Sequence, residues 1–150
     1  MDMNLGLGVM ISRLGEGNTS AKAVRQAQGK LIHAISMHDN VEDPYHYHDE
    51  LRLELDIGVL VFYDDGQSCC EHRYMHTDDD LQSFVGASFI SAEIREVGEK
   101  EDKDNWIVHE IDFLLIHTTL GTFTVETHNE HNGYYGGFSI VARLREKSGE

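Results

Sequence analysis

Apolar and polar residues alternate strictly along Leu51-Arg52-Leu53-Glu54-Leu55-Asp56-Ile57, the period of a half-buried strand. Residues 59–63 continue or follow that strand across Gly58. A strand is also predicted over 30–38, with Leu31, His33, Ile35 and Met37 on one side. Further strands are predicted over 68–76, 89–97, 106–118, 122–131 and 134–145. His33 and His117 sit within apolar strands and read as satisfied core histidines. Thr19 or Ser20 caps a short helix through residue 28, stopped by Gly29, with Ala21, Ala23, Val24 and Ala27 as its apolar face. Thr77 and Asp80 form a capping box for a second helix over 77–85, ended by Gly86. Residues 98–105 read as a charged loop. The fold class is α+β: a predominantly antiparallel sheet of about seven strands, curled or partly barrel-like, with one or two short helices. Residues 1–18 read as a flexible or strand-like lead-in, 19–146 as a single domain and 147–150 as a charged tail.

Turn chemistry sets the expected pairing. Asn132-Gly133 and Asp65-Gly66 are both signals for a type I′ hairpin, which needs positive φ at its two central residues. Counting out from Asn132-Gly133 pairs His131 with Tyr134, Asn129 with Gly136, Thr127 with Phe138, Val125 with Ile140 and Phe123 with Ala142. Its apolar members fall on one face, so the register supports itself. Counting from Asp65-Gly66 pairs Cys69 with Phe62 and Cys70 with Val61.

Composition narrows the class. A 40% hydrophobic chain with one proline is an ordered globular protein. The net charge of −15 and pI near 4.9 argue against direct nucleic-acid binding, because no basic residues cluster. The acidity suits solubility better than DNA mimicry, since the carboxylates are spread over loops and caps. No leader or membrane-spanning stretch is legible, which predicts a cytoplasmic protein.

The stretch from His128 to Phe138 concentrates the candidate chemistry. His128, His131, Asn132, Tyr134, Tyr135, Gly136 and Gly137 form the expected ligand-binding set. Tyrosines can stack on a ligand, and bare glycine lets it approach the backbone. The plainer reading is a twisted hairpin tip covered by its own tyrosines. A histidine with a nearby acid can act as a general base, with Glu126 or Glu130 as partner, yet no nucleophile or phosphate-loop motif accompanies it. No catalytic residue is therefore assigned, and the protein reads as a binder more than an enzyme. Cys69, Cys70 and Glu71 carry either a redox role or a structural one, the thiols acting as small apolar fillers. No metal site is assigned. His46, His48, Cys70, His72 and His76 are the residues a zinc ion would draw on, against the simpler reading of a hydrated polar face. No other cofactor is implied.

The order Gly29-Lys30, Asp65-Gly66, Cys69-Cys70-Glu71, Asp80-Leu81, Gly86, Thr118-x-x-Gly121 and His131-Asn132-Gly133-Tyr134-Tyr135-Gly136-Gly137-Phe138 resembles an uncharacterised family of small bacteriophage and prophage proteins, a domain of unknown function. The resemblance spans residues 29–144; the His46–His48 segment and the 99–104 loop do not fit the family pattern. It implies a context, not a reaction: the cytoplasm of an infected or lysogenic bacterial host. In that context the expectation is a non-enzymatic, homo-oligomeric counter-defence protein. It would sequester a small nucleotide-like signal, or inhibit a host protein, through the Tyr/Gly-rich hairpin. The alternatives are a metal- or histidine-dependent hydrolase using His128, His131 and Glu130, and an acidic DNA mimic.

Overall fold

The computed structural model describes residues 14–42, 47–102, 107–133 and 136–146, with the backbone alone for 99–102. Helix α1 (Gly17–Ala27) precedes strands β1 (Ala34–Glu42), β2 (Tyr47–Leu55), β3 (Gly58–Asp64) and β4 (Glu71–His76). A 3₁₀ turn (Leu81–Phe84) leads to β5 (Phe89–Asp102), β6 (Ile107–Thr118), β7 (Gly121–His131) and β8 (Ile140–Arg145). The eight strands form two four-stranded sheets, ordered β1-β2-β3-β8 and β4-β7-β6-β5. Every strand pair is antiparallel. The α+β, antiparallel expectation holds at that level, but the strands close no barrel. No helix among the described residues is long and apolar enough to cross a membrane.

The alternating run of β2 does what its period requires. Leu51, Leu53 and Leu55 are fully buried, while Glu54 on the other face is exposed. They pair with Phe62, Leu60 and Gly58 of β3. The link is a tight two-residue turn at Asp56-Ile57, so β3 folds back rather than continuing β2. Gly58 (φ +146°) admits no side chain, because a Cβ there would lie 2.3 Å from the Arg145 carbonyl. The second sheet contributes Leu114, Ile116, Phe123 and Val125 to the same core, and α1 adds Ala21, Ala23, Val24 and Ala27. α1 lies along β8, where the buried Ser20 hydroxyl accepts from Ala142 N–H and donates to Gly15 O.

Several local readings change. α1 starts at Gly17, with Glu16 in the N-cap position, so Ser20 is not the cap. Asp80, not Thr77, caps the second turn by accepting from Gln82 N–H, and that turn is a four-residue 3₁₀ helix. The expected strand over 30–38 breaks after Leu31, and β1 runs from Ala34 to Glu42. β5 continues through the expected charged loop to Asp102, past a bulge between Glu96 and Gly98.

Both glycine-turn hairpins are overturned. β7 pairs with β6 on one side and β4 on the other, so neither edge is left for the chain after Gly133. That chain crosses to the first sheet, where β8 pairs with β3. Likewise β3 and β4 lie in different sheets, and neither Cys69 nor Cys70 pairs with β3.

Candidate functional site

Gly133, Gly136 and Gly137, between β7 and β8, lie over the inward face of the second sheet, at the end where that face turns from apolar to polar. Phe123 and Val125 give way to Thr127, Asn129 and His131 on the same face of β7, beside Asp112 and Glu110 of β6 and Arg73 and Glu71 of β4. These side chains hold the glycine loop. Gly133 N–H donates to His131 Nδ1 at 2.9 Å, so a neutral His131 carries its proton on Nε2 and donates to Glu110 Oε1 at 2.7 Å. Glu110 Oε1 also accepts from Gly137 N–H at 2.8 Å. Asn129 Nδ2 donates to Gly137 O at 3.0 Å, and Arg73 Nη2 to Gly136 O at 3.3 Å. A Cβ on Gly136 would lie 2.5 Å from Glu110 Oε1 and 2.8 Å from His131 Nε2. The loop therefore needs glycine where it lies on this pair. Tyr134 and Tyr135 lie outside the described residues, between two anchored glycines.

Arg73 is the centre of the buried charge here. It donates to Asp64 Oδ1 at 2.8 Å and to Glu71 through both Nε and Nη2. Asp64 Oδ1 also accepts from Gly66 and Ser139 N–H. Burial raises the Asp64 pKa despite the adjacent guanidinium. Burial pushes Glu71 the same way, but the bonds from Asn129, Ser68 and Arg73 outweigh it and its pKa is lowered. Two buried acceptors, Asp64 Oδ2 and Asn129 Oδ1, have no donor among the described residues.

Beside the loop lies an open cavity of about 470 Å³. Glu96, Glu110 and Asp112 line it with Ile94, Phe138, Ile140 and the backbone of Gly98 and Gly137. The lining is both acidic and apolar.

His128 is not part of this site. It lies on the outward face of β7, three residues from His131 and turned the other way. Its ring stacks on Tyr74, with centroids 4.6 Å apart and planes 1° apart. His128 Nε2 donates to Glu126 Oε1 at 2.9 Å, which leaves Nδ1 to accept from His109 Nε2 at 2.8 Å. Burial, then the charge of Glu130, raises the Tyr74 pKa and keeps it a phenol. This carboxylate–histidine–histidine chain pairs residues from β6 and β7. His109 was not singled out by the sequence; only the β6–β7 register brings it to His128.

The remaining candidates are dispersed. Asn132 is exposed beyond the end of β7. His48 Nε2 bonds Glu50 Oε1 at 2.8 Å and its ring stacks on Tyr63 at 4.2 Å. Arg52 and Arg145 also donate to Glu50. Burial opposes ionisation of Glu50, yet these donors prevail and hold its pKa down to about 2. His72 packs on Tyr74 and His76 bonds Asp78. His46 lies outside the described residues, and among those residues no three His, Cys, Asp or Glu side chains gather as a metal site. Cys69 and Cys70 are exposed, with Sγ atoms 2.9 Å apart and no disulfide, so they are not core fillers. His33 is exposed and bonds Asp56, and His117 bonds Glu93 and Thr122; neither is a core residue.

Nothing among curated proteins or solved structures matches this chain. A family is nonetheless shown by a match over residues 25–141, which takes in every anchor of the glycine loop. The chain belongs to the family described as Domain of unknown function (DUF7448).

Proposed function

We propose that this chain is a non-enzymatic binding protein, and that the cavity beside the glycine loop receives a cationic group carried on a partly apolar body. The observation that carries this is the cavity lining, in which three carboxylates stand with Ile94, Phe138 and Ile140. Phosphates would be repelled there, which turns the reading away from a nucleotide-like signal. An arginine or lysine side chain of a host protein fits better, since its head is ionic and its stem apolar. The charge of −15 would steer a basic partner in. In the phage setting that the sequence resemblance implies, such a domain would occupy a basic surface of a host protein in the bacterial cytoplasm.

Calorimetric titration tests the reading with two probes, an arginine-containing peptide and a cyclic dinucleotide. The peptide should bind, more weakly as salt rises and more weakly still to the Glu96→Gln, Asp112→Asn double variant. Binding of the dinucleotide without the peptide would overturn it.

A second reading rests on the outward face. Glu126–His128–His109 is a hydrogen-bonded chain that can accept a proton at one end and stabilise the imidazolium it creates. A histidine-dependent hydrolase would use this chain and not His131, which faces the other way. Ester turnover that vanishes in His128→Ala would favour it over binding.

A further inference from the structure

Cys69 and Cys70 occupy the turn that leads into β4, next to Glu71 and outside both the acidic cavity and the outward histidine chain. Their thiols lie 2.9 Å apart and both residues are exposed. Cys69 also lines a separate open cavity of about 540 Å³, together with Asn40, Tyr47, Gln67 and His72. A small molecule therefore has access to the pair. We infer that Cys69–Cys70 is a reversible dithiol–disulfide site whose co-reactant is a low-molecular-weight disulfide of the glutathione class.

Adjacency determines the character of the bond. Neighbouring Cα atoms are about 3.8 Å apart across a trans peptide, below the roughly 4.4–6.8 Å that disulfides ordinarily span. Closing the ring strains the peptide between the two residues. A strained, exposed disulfide is easily reduced again, which suits a reversible site and not a structural staple.

The exchange balances as follows. The Cys69 thiolate attacks one sulfur of the oxidised co-reactant, forming a mixed disulfide and releasing one thiolate. The Cys70 thiolate then attacks the Cys69 sulfur, closing the ring and releasing the second. The protein loses two protons and two electrons, and the co-reactant becomes two thiols.

The ring would close directly beside Glu71, which accepts from Arg73 and from Asn129 Nδ2. Asn129 in turn holds Gly137 O. The inference itself does not depend on what the glycine loop binds.

Intact-mass spectrometry after incubation with oxidised glutathione, quenched with iodoacetamide under non-reducing conditions, provides the test. Wild-type protein should lose two hydrogens, carry no glutathione and resist alkylation, and dithiothreitol should restore both alkylatable thiols. Cys70→Ser, which lacks the resolving thiol, should stop as a mixed disulfide on Cys69. Both cysteines are exposed, so the variant should retain the wild-type circular dichroism spectrum. A persistent glutathione adduct on wild-type protein, a disulfide-linked dimer, or two thiols still open to alkylation would each overturn the inference.

Discussion

Glu50 and Asp64 are both buried carboxylates bonded to arginine, and they respond in opposite directions. Glu50 lies on the outward face of β2 under Arg52, Arg145 and His48, so several donors serve one carboxylate. Its pKa is held down to about 2. Asp64, at the end of β3, shares a single arginine with Glu71. Burial prevails there and its pKa is raised. Desolvation acts on both; the bonds gathered on Glu50 outweigh it, and those on Asp64 do not. The well-served carboxylate joins β2 to β8 and takes no part in the candidate site. The poorly served one lies under the glycine loop. Incomplete compensation of buried charge is a common mark of a functional region.

The largest test of this contrast is Arg73→Ala. It strands Asp64 and Glu71 without their cation, and should cost about 3–5 kcal/mol of stability. Denaturant unfolding would measure it, and a loss below about 1 kcal/mol would show that the loop network is not sustained by this guanidinium. Next comes acid. The folded Glu50 pKa lies below its ordinary value of 4.5, so its stabilisation is fully present above that pH and is lost as pH falls toward 2. The loss should be on the order of 3 kcal/mol. Comparing the pH dependence of unfolding with that of Glu50→Gln isolates it, and two parallel curves would remove Glu50 from the acid response. Asp64, with a raised pKa, contributes in the opposite sense and gains as pH falls. The smallest expected effect is Gly136→Ala. Its φ of +139° and the close carboxylate and imidazole should cost about 1–3 kcal/mol. Backbone amide shifts at Gly133 and Gly137 should move with it, whereas shifts confined to residue 136 would mean the loop is not seated on Glu110 and His131.

Where the sequence was legible, the deciding contacts were near in the chain. The alternation of Leu51, Leu53 and Leu55 marked β2, and the strands predicted over 106–118 and 122–131 are the paired β6 and β7. Asn132-Gly133 misled because a turn signal states what the backbone can do locally, not which strand edges are vacant. β7 is an interior strand with both edges taken, so the residues after the turn had to find a partner in the other sheet. The same non-local competition split the expected cluster: His131 faces inward with Glu110, and His128 faces outward with Glu126. His109 and Arg145 escaped notice for a related reason. Each gains its meaning from a partner on another strand, and no local pattern marks such a pairing.

The pairing of β8 with β3 also has a consequence for how the chain is made. β3 carries the buried run Leu60-Val61-Phe62, and β2 and β8 flank it. Residues 140–145 leave the ribosome well after β3 does. Throughout that interval a nascent chain shows an apolar strand with one open edge, the kind of edge that recruits other chains. Ser20 of α1 takes its bond from Ala142, so the helix also waits for β8 before it can dock fully. The first sheet, although encoded early, is among the last parts of the molecule to be finished.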